Sequence, residues 1–204
     1  MTLVLENRLK NLLGLTDTEL EGLRDQFLSV PLPHLQYGYQ KTPLTWEQLK
    51  EIILVEKNLA KLSRSSSQQR EYEIFRLCLT FKYRSVLDYI LISKFHFDKK
   101  LAEDGRWHAV PCLKDAAEMR QVLVLNDFPY FTEHGIVHHI LWKTKESILP
   151  QDIDRAKEKI RSQMNVEDAL YWINPPHLQS LPDIEHVHIL SRLQTDYPHN
   201  NQNE

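Results

Sequence analysis

The stretch Ile184-Glu185-His186-Val187-His188-Ile189-Leu190 decides how the C-terminal part of this 204-residue chain is expected to fold. Imidazole and branched apolar side chains alternate in it, and this period of two predicts a β-strand over 184–193. Because side chains two residues apart lie on the same face of a strand, His186 and His188 are expected to point the same way, with Val187 on the other face.

The region before this strand has the patterns of three more strands and one helix. Short β-branched and apolar runs predict strands over 122–125, 136–142 and 169–173. A polar segment with apolar residues at helical spacing predicts a helix over 150–164. This order predicts an α+β fold, with a mainly antiparallel sheet in the C-terminal half and helices packed on it.

The first half of the chain is predicted to be helical. Two capping boxes, Thr16–Glu19 and Thr45–Gln48, mark helix starts, and apolar residues at helical spacing follow each of them. An aromatic-rich helical pattern covers 70–97. Residues 98–118 show no regular period, so they are expected to be irregular.

Three segments follow from these patterns. Residues 1–40 are expected to form a helical N-terminal extension, and residues 43–193 a single α+β domain. Residues 194–204 are polar and are expected to form a disordered tail. The N-terminal helices are expected to cover a face or an edge of the sheet.

Composition and charge predict a cytoplasmic protein that binds neither membranes nor nucleic acid. The net charge is −3, and no basic-aromatic array is present. No stretch approaches the ~20 consecutive apolar residues that a membrane-spanning helix needs. Charged residues interrupt the apolar pattern at the N-terminus, whereas a signal peptide has an uninterrupted apolar core. The two cysteines, Cys78 and Cys112, suit a reducing compartment. The oligomeric state stays open.

The histidines of the two longest predicted strands are the first candidates for chemistry. Two imidazoles on one strand face suit a metal site, a nucleophile with its neighbour or a phosphate cradle, and equally two hydrogen-bonded histidines at a rim. Of the consecutive His138 and His139, only one can join the face of His186 and His188. By parity His138 accompanies Ile140, while the neighbours of His139 are typical of a core.

Two further clusters lie at predicted strand ends. Asn126-Asp127-Phe128-Pro129-Tyr130 directly follows an apolar strand and suits either a tight turn or a ligand-binding loop. Gln179 and Ser180 precede the last strand, and their amide and hydroxyl groups suit either a phosphate or the loop backbone.

Several uncommon motifs follow one another in a fixed order along the chain. They are Leu44-Thr45-Trp46-Glu47, Arg64-Ser65, the helix around Tyr72, Leu125 to Tyr130, Gly135 to His138, Trp142 to Lys145, Leu178-Gln179-Ser180 and His186 to Arg192. In this order they resemble the N-acetylglucosamine-induced protein 1 family, a domain of unknown function known mainly from fungi. The resemblance runs from about Pro43 to Arg192, and the family often has Trp where Phe128 stands.

The last strand and the Leu125 to Tyr130 segment are also similar to histidine-triad nucleotide hydrolases and transferases. In that family three alternating histidines line the α-phosphate, and the middle one attacks phosphorus. Aligned through Arg192, His186 matches the middle, nucleophilic histidine and His188 the last, whereas the first position is Ile184. The resemblance implies His186 and His188 as catalytic residues. It implies the following ligand-binding residues: Asn126, Asp127, Tyr130, His138, Gln179, Ser180 and Arg192.

Three hypotheses on function follow. The first is a protein that binds a phosphate-bearing small molecule, a nucleotide or nucleotide sugar, and acts without a cofactor as a nucleotidyl hydrolase or transferase. The second is a metal-binding histidine cluster, with a divalent metal such as zinc on His138, His186 and His188. The third is a non-enzymatic regulatory protein of an amino-sugar response.

Overall fold

Helices dominate the first half of the protein and strands the second half, which confirms the predicted α+β class. The computed structural model describes residues 3–110, 120–179, 181 and 183–194. Its helices are α1 (Leu3–Leu13), α2 (Asp17–Ser29), α3 (Trp46–Lys50), α4 (Ser66–Lys82), α5 (Val86–Ser93) and α6 (Pro150–Gln163). Its strands are β1 (Asp98–Leu101), β2 (Trp107–Val110), β3 (Gln121–Leu125), β4 (Ile136–Lys143), β5 (Val166–Trp172) and β6 (Glu185–Leu193).

The main sheet has four strands in the order β3-β4-β6-β5, and all neighbours are antiparallel. In the β4–β6 register, Trp142 lies opposite His186 and Ile140 lies opposite His188. His138 lies two residues before Ile140, so its side chain shares this face. The sheet therefore carries three histidines on one face, as the parity of the two strands predicts.

The opposite face of the sheet is covered by α6. Leu141, Val187 and Ile189 on the sheet pack against Ile153 and Ile160 of this helix. The apolar spacing of α6 predicts this contact, because residues three and four apart share one helix face. Because α6 covers one face, the N-terminal helices pack on the other face, which carries the histidines.

The N-terminal helices form the layer over the histidine-bearing face. Leu9 of α1 and Leu20 of α2 belong to the same buried cluster as Phe75 of α4, Tyr89 of α5 and Trp142 of β4. The first 30 residues thus contribute directly to this core. No helix in the described ranges is long and apolar enough to span a lipid bilayer.

The structure differs from the sequence-based expectation in several places. The helix that follows Thr45 is an α-helix only to Lys50 and continues as a π-helix over Glu51–Glu56, and the strand expected over 169–173 begins at Val166. Part of the segment expected to be irregular forms the hairpin β1–β2, whose first strand is exposed throughout and therefore lacks any apolar alternation. The helical pattern over 70–97 contains a break between α4 and α5, where Ser85 caps the second helix. Residues 111–119, with Cys112, and most of the expected tail, 195–204, lie outside the described residues.

Candidate functional site

A cavity of about 470 Å³ lies between α4, α5 and the histidine-bearing face of the sheet; we call it the central cavity. Its volume is within the range of about 300–1,000 Å³ that is typical of small-molecule sites. Five residues singled out from the sequence line it, namely Asn126, Asp127, Tyr130, His186 and His188. The predicted strand ends and the predicted strand face therefore meet at one place.

His138 and His188 form a hydrogen-bonded pair beneath the cavity. His138 Nε2 and His188 Nδ1 are 3.0 Å apart, and both side chains are buried. Tyr130 stacks on the His138 ring at 5.2 Å between centroids, and Trp172 stacks on the His188 ring at 5.0 Å. These aromatic contacts fix both imidazole planes.

His186 is held separately from this pair. Its Nδ1 is 3.1 Å from the carbonyl oxygen of Ile184, and its ring lies 4.8 Å from that of Trp142. Since a carbonyl only accepts, Nδ1 carries the proton and Nε2 has a lone pair. Nε2 has no hydrogen-bond partner among the described residues, so this lone pair is available to a ligand.

All three histidines are kept neutral at pH 7. Burial lowers the pKa of His188 to about 3, with a further contribution from His186. Burial also lowers the pKa of His138 well below its ordinary value. It lowers the pKa of His186 as well. Neutral imidazoles are good nucleophiles and hydrogen-bond partners, but they add no positive charge to the cavity.

Asn126 and Asp127 lie at the end of β3, as the sequence predicts. Asn126 Oδ1 accepts a hydrogen bond from the backbone N–H of Phe128 at 2.9 Å. Asp127 Oδ2 is 2.6 Å from Lys94 Nζ and 3.3 Å from the hydroxyl of Tyr89. Asp127 Oδ1 has no partner within the described ranges, so it can accept a hydrogen bond from a ligand hydroxyl.

Arg64 is a cavity residue that sequence reasoning did not assign to the site. Its Nε and Nη2 donate to the carbonyl of Phe128 at 2.9 and 2.7 Å, and its Nη1 donates to Gln69 Oε1 at 3.2 Å. The guanidinium lies 4.3 Å from the Tyr72 ring centroid. It forms no salt bridge in the described part of the chain. The sequence analysis identified Arg64-Ser65 as a family motif, but no pattern in the sequence predicts that Arg64 lies beside residue 128.

Asn174 is the second such residue. Its Oδ1 accepts from Trp172 Nε1 at 3.0 Å, and its Nδ2 lies 3.2 Å from His188 Nε2. It follows a predicted strand, which was the available signal. Gln179 Nε2 donates to the Asn174 carbonyl at 2.8 Å and does not line the cavity.

The last two predicted residues are Ser180 and Arg192. Ser180 lies outside the described residues. Arg192 is on the same strand face as the histidines but farther along β6, where it pairs with Glu167 at 2.8 Å and lies over Trp46. Its distance along the strand, about 3.3 Å per residue, separates it from His186.

Several ring nitrogens of the three histidines already have hydrogen-bond partners. The facing nitrogens of His138 and His188 bind each other, and His186 Nδ1 faces a carbonyl. Within residues 3–110, 120–179, 181 and 183–194, no group of three or more His, Cys, Asp and Glu residues is arranged to hold a metal ion.

Two of the proteins or families that match this chain have descriptions that state no function. The Saccharomyces cerevisiae "Uncharacterized protein YPL067C" is 29% identical over 164 residues, which cover 71% of this chain and 77% of that protein. A solved structure, "Crystal Structure of HTC1", is 25% identical with a TM-score of 0.48, and covers 74% of this chain and 86% of that one. The family model described as "Protein of unknown function (DUF3605)" matches residues 45–192. Because this match spans well over half of the chain, the protein belongs to that family.

Proposed function

We propose that this protein binds a phosphate-bearing small molecule, such as a nucleotide or nucleotide sugar, in the central cavity. The observation that carries the proposal is the Arg64 guanidinium, which lines the cavity without a carboxylate partner among the described residues. Burial lowers the pKa of Arg64, yet the group keeps its charge at neutral pH because its ordinary value is far above 7. Arg64 is half-buried, and the carboxylate of Glu73 reaches it only through Gln69, which accepts from Arg64 and donates to Glu73. A half-buried charge without a salt bridge favours an anionic ligand.

The donor geometry of Arg64 supports the same proposal. Of its five N–H groups, one each on Nε, Nη1 and Nη2 is used by Phe128 and Gln69. Two N–H groups remain for a ligand, and hydrogen bonds from a guanidinium to a phosphate are short and strong. Asp127 Oδ1 adds an acceptor that suits a sugar hydroxyl, and the apolar walls suit a base or another apolar group.

The test is titration of the purified protein with inorganic phosphate, nucleoside monophosphates and nucleotide sugars by calorimetry. The resemblance to the N-acetylglucosamine-induced family makes amino-sugar nucleotides the first nucleotide sugars to try. We expect Arg64→Met to weaken binding roughly 10- to 100-fold, since a charge-assisted hydrogen bond contributes about 1.5–3 kcal/mol. Arg64→Lys retains the positive charge but not the planar set of guanidinium donors, so we expect a loss of affinity between those of the wild type and Arg64→Met.

The matched control is Arg155→Gln, because Arg155 is an exposed arginine on α6, on the other side of the sheet. It should bind as the wild type does. Melting curves of each variant separate loss of affinity from loss of fold. Wild-type protein that binds none of these anions, or folded Arg64→Met that binds them unchanged, contradicts the proposal.

A second candidate function, nucleotidyl transfer or hydrolysis through His186, is favoured by the Nδ1–Ile184 hydrogen bond. The Nε2 lone pair would form a bond to phosphorus as the bond to the leaving group breaks, and that group would depart with the electron pair and take a proton from water. Water would then cleave the P–N bond and restore the imidazole. Intact-mass analysis after an alkaline quench should show the nucleotidyl adduct, and His186→Asn should lack it. Binding without any adduct or turnover would instead favour the regulatory hypothesis.

A further inference from the structure

Two side-chain amides flank the His138–His188 pair, and a donor-only group orients each of them. The indole N–H of Trp172 only donates, so the atom of Asn174 that faces it at 3.0 Å is the oxygen. The NH₂ group of Asn174 therefore faces His188 Nε2 at 3.2 Å. At this end of the pair, the amide is a donor.

The other end of the pair has the same polarity. The backbone N–H of Phe128 donates to Asn126 Oδ1 at 2.9 Å, which leaves the NH₂ group of Asn126 beside His138. Asn126 Nδ2 lies 3.3 Å from Nδ1 and 3.5 Å from Nε2 of that ring. Both amides thus present N–H groups to the same pair of imidazoles.

This arrangement contains one donor too many. Two neutral imidazoles carry two protons on four ring nitrogens. If both amides donated into the pair, the two protons would lie on His138 Nε2 and His188 Nδ1, which are 3.0 Å apart and would then face each other as two donors. Only one amide can therefore donate into the pair. If Asn174 is excluded, its NH₂ group still has the Tyr130 side chain as a partner, whereas if Asn126 is excluded, its NH₂ group has no acceptor among the described residues.

The geometry identifies Asn126 as the amide that is left over. Asn174 lies near a single nitrogen, and Trp172, which anchors it, is stacked on His188 with only 10° between the rings. Asn126 Nδ2 is instead nearly equidistant from both nitrogens of His138, so it is aligned with neither lone pair. His188 and His138 should then both carry their proton on Nδ1.

We infer that the Asn126 amide is an oxyanion-binding group, whose NH₂ donates to an anionic oxygen of the ligand in the central cavity. This rests on the proposed function and names the atom that contacts the ligand beside Arg64. Both donors are held by one residue, because Phe128 gives its N–H to Asn126 and its carbonyl to Arg64. Both also line the cavity. A phosphate group offers the acceptor-only oxygens that such a pair of donors requires.

The first test needs no ligand. The ¹⁵N shifts of the ring nitrogens in full-length protein at pH 7 report which nitrogen of each histidine is protonated. We expect Nδ1–H in both His138 and His188. Protonation of His138 on Nε2 would show that Asn126 donates to His138 Nδ1, and it would overturn the inference.

Asn174→Asp is the matched variant for this measurement. A carboxylate there accepts from Trp172 and also from His188 Nε2, so both histidines should switch to Nε2–H. His138 Nδ1 then becomes an acceptor for Asn126. Tautomers that stay unchanged in this variant contradict the chain of hydrogen bonds on which the inference depends.

The second test uses inorganic phosphate and a nucleoside monophosphate as probes. Asn126→Asp keeps the acceptor for Phe128 N–H and supplies one to His138, but it removes the NH₂ donor and adds a negative charge. Asn126→Ser, whose hydroxyl can accept from Phe128 N–H without adding charge, is therefore measured beside it. We expect at least tenfold weaker binding by both variants with no loss of melting temperature, because charge repulsion can weaken binding only in the first. Wild-type binding retained by either variant overturns the inference alone, whereas absence of binding by the wild type overturns the proposed function.

Discussion

Lys143 Nζ lies 2.9 Å from Asp152 Oδ2, and this ion pair is buried on the face of the sheet opposite the central cavity. Lys143 is 2% exposed. Asp152 also accepts from the backbone N–H of Leu149, and this bond, then Lys143 and Gln121, lowers the pKa of Asp152 to about 2. The pair fastens the first turn of α6 to β4.

We expect Lys143→Met to lower the free energy of unfolding by about 3–5 kcal/mol, because it leaves the Asp152 carboxylate buried without its cation. Urea denaturation at pH 7 measures the loss. Lys159→Met, on the exposed side of the same helix, is the control and should change stability by no more than about 0.5 kcal/mol. Equal effects of the two variants would contradict the structural role of the pair.

Stability should fall as the pH drops below about 6.5. Burial depresses the pKa values of His138, His186 and His188 in the folded protein, so the unfolded chain binds more protons below its own value of about 6.5. The contribution of these histidines to the free energy of unfolding is complete above that pH. On acidification it decreases by up to about 1.4 kcal/mol per pH unit for each histidine. Urea unfolding between pH 7.5 and 4.5 tests this.

In the same experiment, His188→Asn should flatten the pH dependence, since the variant lacks one of the groups that titrate on unfolding. The pKa of about 3 for His188 means that its contribution keeps changing from about pH 6.5 down to the acid end of the interval. A slope identical to that of the wild type would show that His188 is charged, or already free to titrate, in the folded protein.

The N-terminal helices should be essential to the stability of the fold. Leu9 of α1 is fully buried, so Leu9→Ala should cost about 2–5 kcal/mol through lost burial and a cavity. Leu28→Ala is the control, because Leu28 of α2 is 89% exposed. Denaturation curves of the two variants that coincide would show that α1 contributes little to the core.

Lys94→Met should weaken phosphate binding without abolishing it. Lys94 lies 2.6 Å from Asp127 and compensates a carboxylate that lines the cavity. Without the lysine, the Asp127 charge opposes an incoming anion by an amount on the order of 1 kcal/mol, or roughly fivefold in affinity. Calorimetry at low and high salt measures the loss of affinity. If the variant binds phosphate as tightly as the wild type at low salt, the prediction is wrong.

The strand face that carries the histidines was predictable because a strand has a strict period of two. The positions of His138, His186 and His188 on one face follow from that period, and the register of β4 and β6 then brings them together. The strand-end position of Asn126 and Asp127 also followed from the apolar run before them. Each of these features depends on a short stretch of sequence.

The contributions of Arg64, Lys94 and Asn174 could not be predicted in this way. Arg64 and Lys94 flank helices, so their distance from the histidines depends on how α4 and α5 pack on the sheet. Asn174 follows β5, so its distance from His188 depends on the pairing of β5 with β6, which the period of two does not determine. The hairpin β1–β2 was missed for another reason, since an exposed strand has no buried face to impose alternation. The tautomers likewise depend on Trp172 and on a backbone N–H.

The segment before α3 contributes to the lining of the central cavity. His34 to Gln36 line it, and Gln40 holds the segment in place through hydrogen bonds to the carbonyls of Arg64 and Lys61. The family match begins only at residue 45. The lining of the central cavity therefore combines residues from inside the matched region, among them His186 and His188, with residues encoded before that region begins.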